Sequence, residues 1–251
     1  MTRRGASHLK SNQFVGTRQR EAVDGGSRWR GGRTEHEAPA GTIGTDESGK
    51  GDYFGPLVVA GVCVPAGGRE VLAALGVRDS KTLSDGQAER LARAVREAYP
   101  IAVVAIGPER YNALYAKVGN LNRLLAWAHA RVIENLLERI PECREAISDQ
   151  FGDARVLERA LLERGRSISL TQRPRAESDP VVAAASIVAR AEFLRRLHAL
   201  GARFGMPLPK GAGPPVLAAG RAFVARHGAD ALGQVAKLHF RTTRQVTGAG
   251  A

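Results

Sequence analysis

The residues best suited to chemistry lie between Gly44 and Val62, in the run GTDESGKGDYFGPLVVAGV. Asp46 and Glu47 are adjacent carboxylates, and the lysine of Gly49-Lys50-Gly51 follows them. One reading is a phosphate loop, because Gly44 to Lys50 fits G-x-x-x-x-G-K. It fails on two counts. Such a loop needs Ser or Thr after the lysine to hold magnesium, and this chain has Gly51. It would also set Asp46 and Glu47 where backbone amides should cradle phosphate oxygens. The other reading takes the two carboxylates as ligands of a hard divalent cation, Mg2+ or Mn2+. Neighbouring residues of a strand point to opposite faces, so two adjacent acids share an ion only where the strand ends. Ser48-Gly49-Lys50-Gly51 is the expected end. Phosphodiester hydrolysis with such ions typically uses two of them, one activating water and one holding the leaving oxygen, and so needs more carboxylates.

Asp149 is the best further candidate, since it ends the apolar segment Ala146-Ile147 and precedes Gln150-Phe151-Gly152. Alone, an aspartate at a strand end is more often a turn residue or a cap. Its pairing with Asp46 and Glu47 raises it above that.

At this point the ordered motifs resemble a known family. Gly44 to Leu57 resembles the first motif of ribonuclease HIII, in the type 2 ribonuclease H group; ribonuclease HII usually has Arg in place of Lys50. Asp79-Ser80-Lys81 resembles the family's D-S-K element, and Tyr111-Asn112 with Asn120-Leu121-Asn122 its next blocks. Ser148-Asp149-Gln150-Phe151 is similar to the third-acid motif, and Ala183 to Arg190 to the alanine-rich helix. Leu208 to Gly213 and Lys237-Leu238-His239-Phe240 resemble the C-terminal blocks, so the likeness runs from about residue 41 to 244.

The resemblance implies a ribonuclease H-like fold and endonucleolytic cutting of the RNA strand of RNA–DNA hybrids, leaving 5′-phosphate ends. It implies a divalent-metal site on Asp46, Glu47 and Asp149, and contact with the hybrid by Gly49, Lys50 and Gly51. Glycines allow close backbone approach, and Lys50 adds a point charge. The family has a fourth acid before the alanine-rich helix; Glu177 is the nearest match, at slightly short spacing. Asp179 reads better as an N-cap before Pro180, and Asp153 also precedes a helix. Two other functions stand beside this one: a ribonuclease HII-like enzyme acting at single ribonucleotides in duplex DNA, and a hybrid-binding protein without catalysis. Lys50 and the Lys237 to Phe240 block disfavour the first, and the intact acids the second. Ribonuclease HIII usually carries an N-terminal substrate-binding domain of TATA-binding-protein-like fold, which residues 1–40 are too short and too polar to form.

Other polar residues carry two readings each. Lys81, Lys210 and Lys237 either line the hybrid groove or are solvated lysines. His239 and His129 read as packing residues, His129 because it lies near the apolar stripe of a long helix.

These groups need a frame. The pattern predicts strands at Thr42–Asp46, Leu57–Val64, Ile101–Ile106, Glu145–Asp149 and Ser167–Leu170. It predicts helices at Leu121–Ile140, Ala154–Glu163 and from Pro180 to about Leu200, with more helix after Pro215. A further helix starts at Ser84 with a capping box to Gln87, and its inward stripe is Ala88, Leu91, Val95 and Ala98. The sum is an α/β fold, a mixed sheet flanked by helices with a helical C-terminal part. Residues 1–40, rich in Arg, Gly and Ser and with a lone Arg28-Trp29-Arg30, read as a disordered basic tail before a catalytic domain of residues 41–251.

A formal charge of +12 and a pI near 10.6 point to a polyanionic partner. Cys63 and Cys143 lack metal-site spacing and read as free thiols of a reducing compartment. With no apolar run long enough for a bilayer and no secretion signal, the expectation is a cytoplasmic protein, without membrane attachment and monomeric.

Overall fold

The computed structural model describes residues 41–78 and 80–248. The basic tail, with Trp29, and Asp79 of the D-S-K element lie outside the described residues. Five strands form one mixed sheet: β1 (Thr42–Ser48), β2 (Leu57–Val64), β3 (Ile101–Ile106), β4 (Glu145–Asp149) and β5 (Ser169–Arg173), in the order β3-β2-β1-β4-β5. β1, β2 and β3 pair antiparallel, while β1–β4 and β4–β5 are parallel. The parallel pairs need crossovers. α3 (Pro108–Val118) and α4 (Leu121–Leu137) stand in the chain before β4, and α5 (Ala154–Ala160) before β5.

The sheet separates two cores, and the alternation along β2 shows how. Val58, Ala60, Val62 and Val64 join the layer of α2 (Asp85–Ala98), α6 (Pro180–Arg203) and α7 (Pro214–His227); Leu57, Val59 and Cys63 join the layer of α4 and α5. Two glycines allow the helices this close. A Cβ on Gly44 would run into the Val181 carbonyl at the start of α6, and one on Gly61 into Val132 of α4. A short α1 (Gly68–Ala74) and a C-terminal α8 (Arg241–Thr247) complete the helical set. Among the described residues no helix is long and apolar enough to cross a membrane.

Most expected elements are present, with shifted ends. The capping box of α2 forms: the Gln87 amide donates to Ser84 Oγ at 3.3 Å and the Ser84 amide to Gln87 Oε1 at 2.9 Å. Its inward stripe differs, because Ala92 is buried while Leu91 is half-buried and Ala98 exposed. β1 continues through Ser48 because β2 pairs with it to the end, Glu47 facing Val59 and Ser48 facing Val58. β5 lies later than expected: Gly165–Ser167 turns as a 3-10 helix, and the strand follows β4 in register up to Asp149–Arg173. α4 stops at Leu137 and α5 at Ala160, whereas α6 runs on to Arg203.

Candidate active site

The parallel pairing of β1 with β4 sets the site. Its last register pair is Thr45–Ser148, so the next residue on each strand is an aspartate, Asp46 and Asp149. Parallel neighbours lie about 4.8 Å apart, which brings the two carboxylates side by side at the carboxyl ends of the strands. Asp46 Oδ1 accepts the Glu47 amide at 2.8 Å, and its carboxyl is also bonded by Ser186 of α6. Asp149 Oδ1 accepts the Ala176 amide at 3.0 Å. That amide opens the 3-10 turn Ala176–Ser178, which carries Glu177 towards the same cleft.

Glu47 departs from expectation. β1 does not break between Asp46 and Glu47, so the alternation persists: Asp46 meets α6 and Glu47 meets α4. Glu47 Oε2 lies 3.3 Å from His129 Nε2, and Glu47 Oε1 accepts from Lys50 Nζ at 3.2 Å. In this arrangement no three His, Cys, Asp or Glu side chains converge closely enough to hold a metal among the described residues. The electrostatics nonetheless suit a cation. Burial, with Glu47 and Asp149 nearby, pushes the Asp46 carboxyl up to about 7. Burial would raise Glu47 as well, but His129 and Lys50 hold it below the usual carboxylate range. An added positive charge would relieve the repulsion among these acids.

All seven expected site residues line one open cleft of about 560 Å³: Asp46, Glu47, Gly49, Lys50, Gly51, Asp149 and Glu177. Gly49 holds a φ of +88°, and a Cβ there would strike the Pro56 carbonyl, so only glycine lets the chain turn here. Glu177 Oε1 accepts from Lys81 Nζ at 3.2 Å. Lys210 borders the cleft and pairs with Asp85 at 2.6 Å.

Lys237 corrects both sequence readings, being neither in the groove nor solvated. It is fully buried, and its Nζ donates to the carbonyls of Asp52 at 2.7 Å and Gly55 at 2.8 Å. Burial pulls its pKa down to about 7 against the attraction of Asp52. The Tyr53 carbonyl accepts the Lys237 amide, and the Tyr53 amide donates to Gly211. The C-terminal blocks therefore hold the segment that follows Gly49–Gly51.

The cap readings hold. Asp179 accepts the Val181 amide at 3.0 Å ahead of Pro180 and pairs with Arg69 and Arg173; Asp153 accepts the Arg155 amide at 3.0 Å. His239 packs, stacking on Tyr115 with ring centroids 4.3 Å apart. Sequence reasoning gave no role to Ser186 or Arg190. Ser186 bonds Ser80 Oγ at 2.8 Å as well as Asp46, and Arg190 binds the Ser80 carbonyl and Asp85. A lone serine in the buried run Ala183-Ala184-Ala185-Ser186 was the available signal, since a buried hydroxyl needs a partner.

Comparison with known proteins agrees with this architecture. Residues 43–243 match the Ribonuclease HII family. Ribonuclease HIII of Protochlamydia amoebophila (strain UWE25) is 44% identical over 206 residues, which cover 82% of this chain and 68% of that protein. Ribonuclease HIII of Chlamydia pneumoniae is 46% identical over 208 residues, covering 81% of this chain and 69% of the relative. Among solved structures, Bst-RNase HIII in complex with Mn2+ superposes with a TM-score of 0.78 at 36% identity, over 85% of this chain and 71% of that one. The sequence match spans the sheet, the aspartate pair and the C-terminal clamp alike, and the chain belongs to the ribonuclease HII family, among its ribonuclease HIII members.

Proposed function

We propose that this protein is a divalent-metal-dependent endonuclease that hydrolyses the RNA strand of RNA–DNA hybrids and leaves 5′-phosphate ends. The observation that carries the reading is the Asp46–Asp149 pair, set by β1–β4 register in a cleft that Glu47, Glu177 and Lys50 also line. Asp46, Glu47 and Asp149 would hold Mg2+ or Mn2+, two ions during catalysis, with Glu177 as the fourth acid. The manganese-bound relative and the cation-seeking carboxylates support this. When bound, such ions stabilise charge on the phosphate and lower the pKa of a bound water.

The chain's own residues do the rest. Gly49 and Gly51 bring backbone amides close to the scissile phosphate and the neighbouring 2′-hydroxyl, and Lys50 adds charge there. Lys50 also pairs with Glu47, so substrate capture and the acid site share one contact. The reading extends to a monomer in the cytoplasm. Cys63 and Cys143 are buried free thiols, in keeping with a reducing compartment.

The test is cleavage of two substrates, a uniform RNA–DNA hybrid and duplex DNA with one ribonucleotide, each in Mg2+ and in Mn2+. Cutting within the hybrid, with 5′-phosphate ends, is the expected result. Binding without cutting would leave a non-catalytic hybrid-binding protein.

A further inference from the structure

His129 lies wholly inside the protein on α4, in a layer otherwise made of Leu125, Ala128, Val132 and their apolar neighbours. A buried imidazole must have its nitrogens satisfied. Here every partner belongs to the acid site or to the residue just before it. Nδ1 is 2.9 Å from Thr45 Oγ1 and 3.4 Å from Ser148 Oγ, and Nε2 is 3.3 Å from Glu47 Oε2. Thr45 and Ser148 form the last register pair of β1 and β4, one residue before Asp46 and Asp149. The ring face stacks on Phe151, centroids 4.9 Å apart, in the loop that follows Asp149.

The carboxylate fixes the direction of the bonds. Glu47 Oε2 can only accept, so His129 Nε2 carries a proton and donates it. Thr45 and Ser148 hold Nδ1 on the other side of the ring, and Ser148 Oγ itself donates to the Asp149 carbonyl at 3.1 Å. Glu47 needs such a hold. It projects from the face of β1 opposite to Asp46, and its other contact, Lys50, is 40% exposed and assigned to substrate.

We infer that His129 is the positioning residue of the site: its Nε2–H orients the Glu47 carboxylate for metal, and Thr45, Ser148 and Phe151 fix the ring. A group that orients a metal-binding carboxylate typically changes metal affinity or activity by about 10–100-fold when removed. The inference rests on the proposed role of Glu47 as a metal ligand.

The experiment measures Mn2+ binding to the metal-stripped protein by calorimetry, hybrid cleavage as separate kcat and KM, and thermal melting. His129→Phe keeps a planar ring to stack on Phe151 but loses the donor. It should bind Mn2+ about tenfold or more weakly and lose a similar factor in kcat, with KM for the hybrid unchanged. His129→Gln restores an N–H donor and should recover most of both losses. If His129→Phe melts far below the parent, the double variant Thr45→Val, Ser148→Ala decides, because it frees the ring while leaving His129 and Glu47; its Mn2+ affinity must still fall. Unchanged Mn2+ affinity in the folded His129 variant, or in the double variant, overturns the inference, provided Glu47→Gln weakens binding. Unchanged affinity in Glu47→Gln instead removes Glu47 from the metal site and the inference with it.

Discussion

At the scale of single residues the site is a set of carboxylates whose mutual repulsion an added cation would relieve. Asp46 and Asp149 are brought together by strand register, and burial first, then the charge of Glu47 and last that of Asp149, push the Asp46 carboxyl up to about 7. Asp46→Asn or Asp149→Asn keeps the shape and removes charge, so cleavage in Mg2+ should vanish while hybrid binding, by gel shift, holds or tightens. Turnover near normal in Asp149→Asn would exclude that residue from the site. The same shift predicts a pH effect in chelator. The folded chain keeps the Asp46 proton up to about 7, whereas the unfolded chain releases it near the ordinary aspartate value of 3.8. Between those values the unfolded state binds fewer protons, so the contribution of Asp46 to stability falls as pH rises, and levels off above about 7. Denaturant unfolding across that range should show the slope in the parent and lose it in Asp46→Asn. Lys50→Ala should lower kcat/KM by about 1–3 kcal/mol, roughly one to two decades, for loss of a charged hydrogen bond. An unchanged kcat/KM would make Lys50 a bystander.

At the scale of elements, what could be read from the chain was what depends on local pattern. The apolar run Leu57–Val64 and the Ser84–Gln87 box specify a buried strand and a helix start without reference to the rest of the fold. The end of β1 could not be read that way. Ser48 and Gly49 look like a break, but pairing with Val58 and Val59 of β2 carries the strand past Glu47, and so turns Asp46 towards α6 and Glu47 towards α4 at the rim of the same cleft. β5 was misplaced for the same reason, because its register comes from β4 and not from its own short sequence. The seven candidate residues that line the cleft are legible through ordered motifs, whereas the contacts of Ser186 and His129 with them are visible only when helices are laid on strands. Lys237 is the clearest case. Nothing local marks a lysine between Ala236 and Leu238 as buried, yet it bonds the carbonyls of Asp52 and Gly55 across the fold. Lys237→Met should therefore cost about 1–3 kcal/mol through the carbonyls left unsatisfied, seen as a lower denaturant midpoint. It should also raise KM for the hybrid more than it lowers kcat, because the loosened segment adjoins Gly49–Gly51. A midpoint equal to the parent's would show that water replaces the lysine at no cost.

At the scale of the whole molecule the question is which nucleic acid the cleft prefers. The net charge of +12 attracts any polyanion and does not discriminate among them. Discrimination has to come from the 2′-hydroxyl, read in the wide, shallow minor groove of an A-like duplex. The cleft is open, with Gly49–Gly51, Lys81 and Lys210 arrayed along it beside the acids, so a bound duplex meets polar groups at more than the scissile step. A run of ribonucleotides presents several hydroxyls to those groups, while a lone ribonucleotide presents one, in mostly B-like geometry. Each lost hydrogen bond costs about 0.5–1.5 kcal/mol, so losing two or three should slow cleavage by about one to three decades. The expected outcome is efficient cutting within a uniform hybrid and weak cutting at a single ribonucleotide, compared as kcat/KM at matched salt. Shortening the ribonucleotide run should lower the rate in steps, as successive hydroxyls are lost. A rate independent of run length would place all discrimination at the scissile step, and equal kcat/KM on both substrates would assign the protein a ribonuclease HII-like activity.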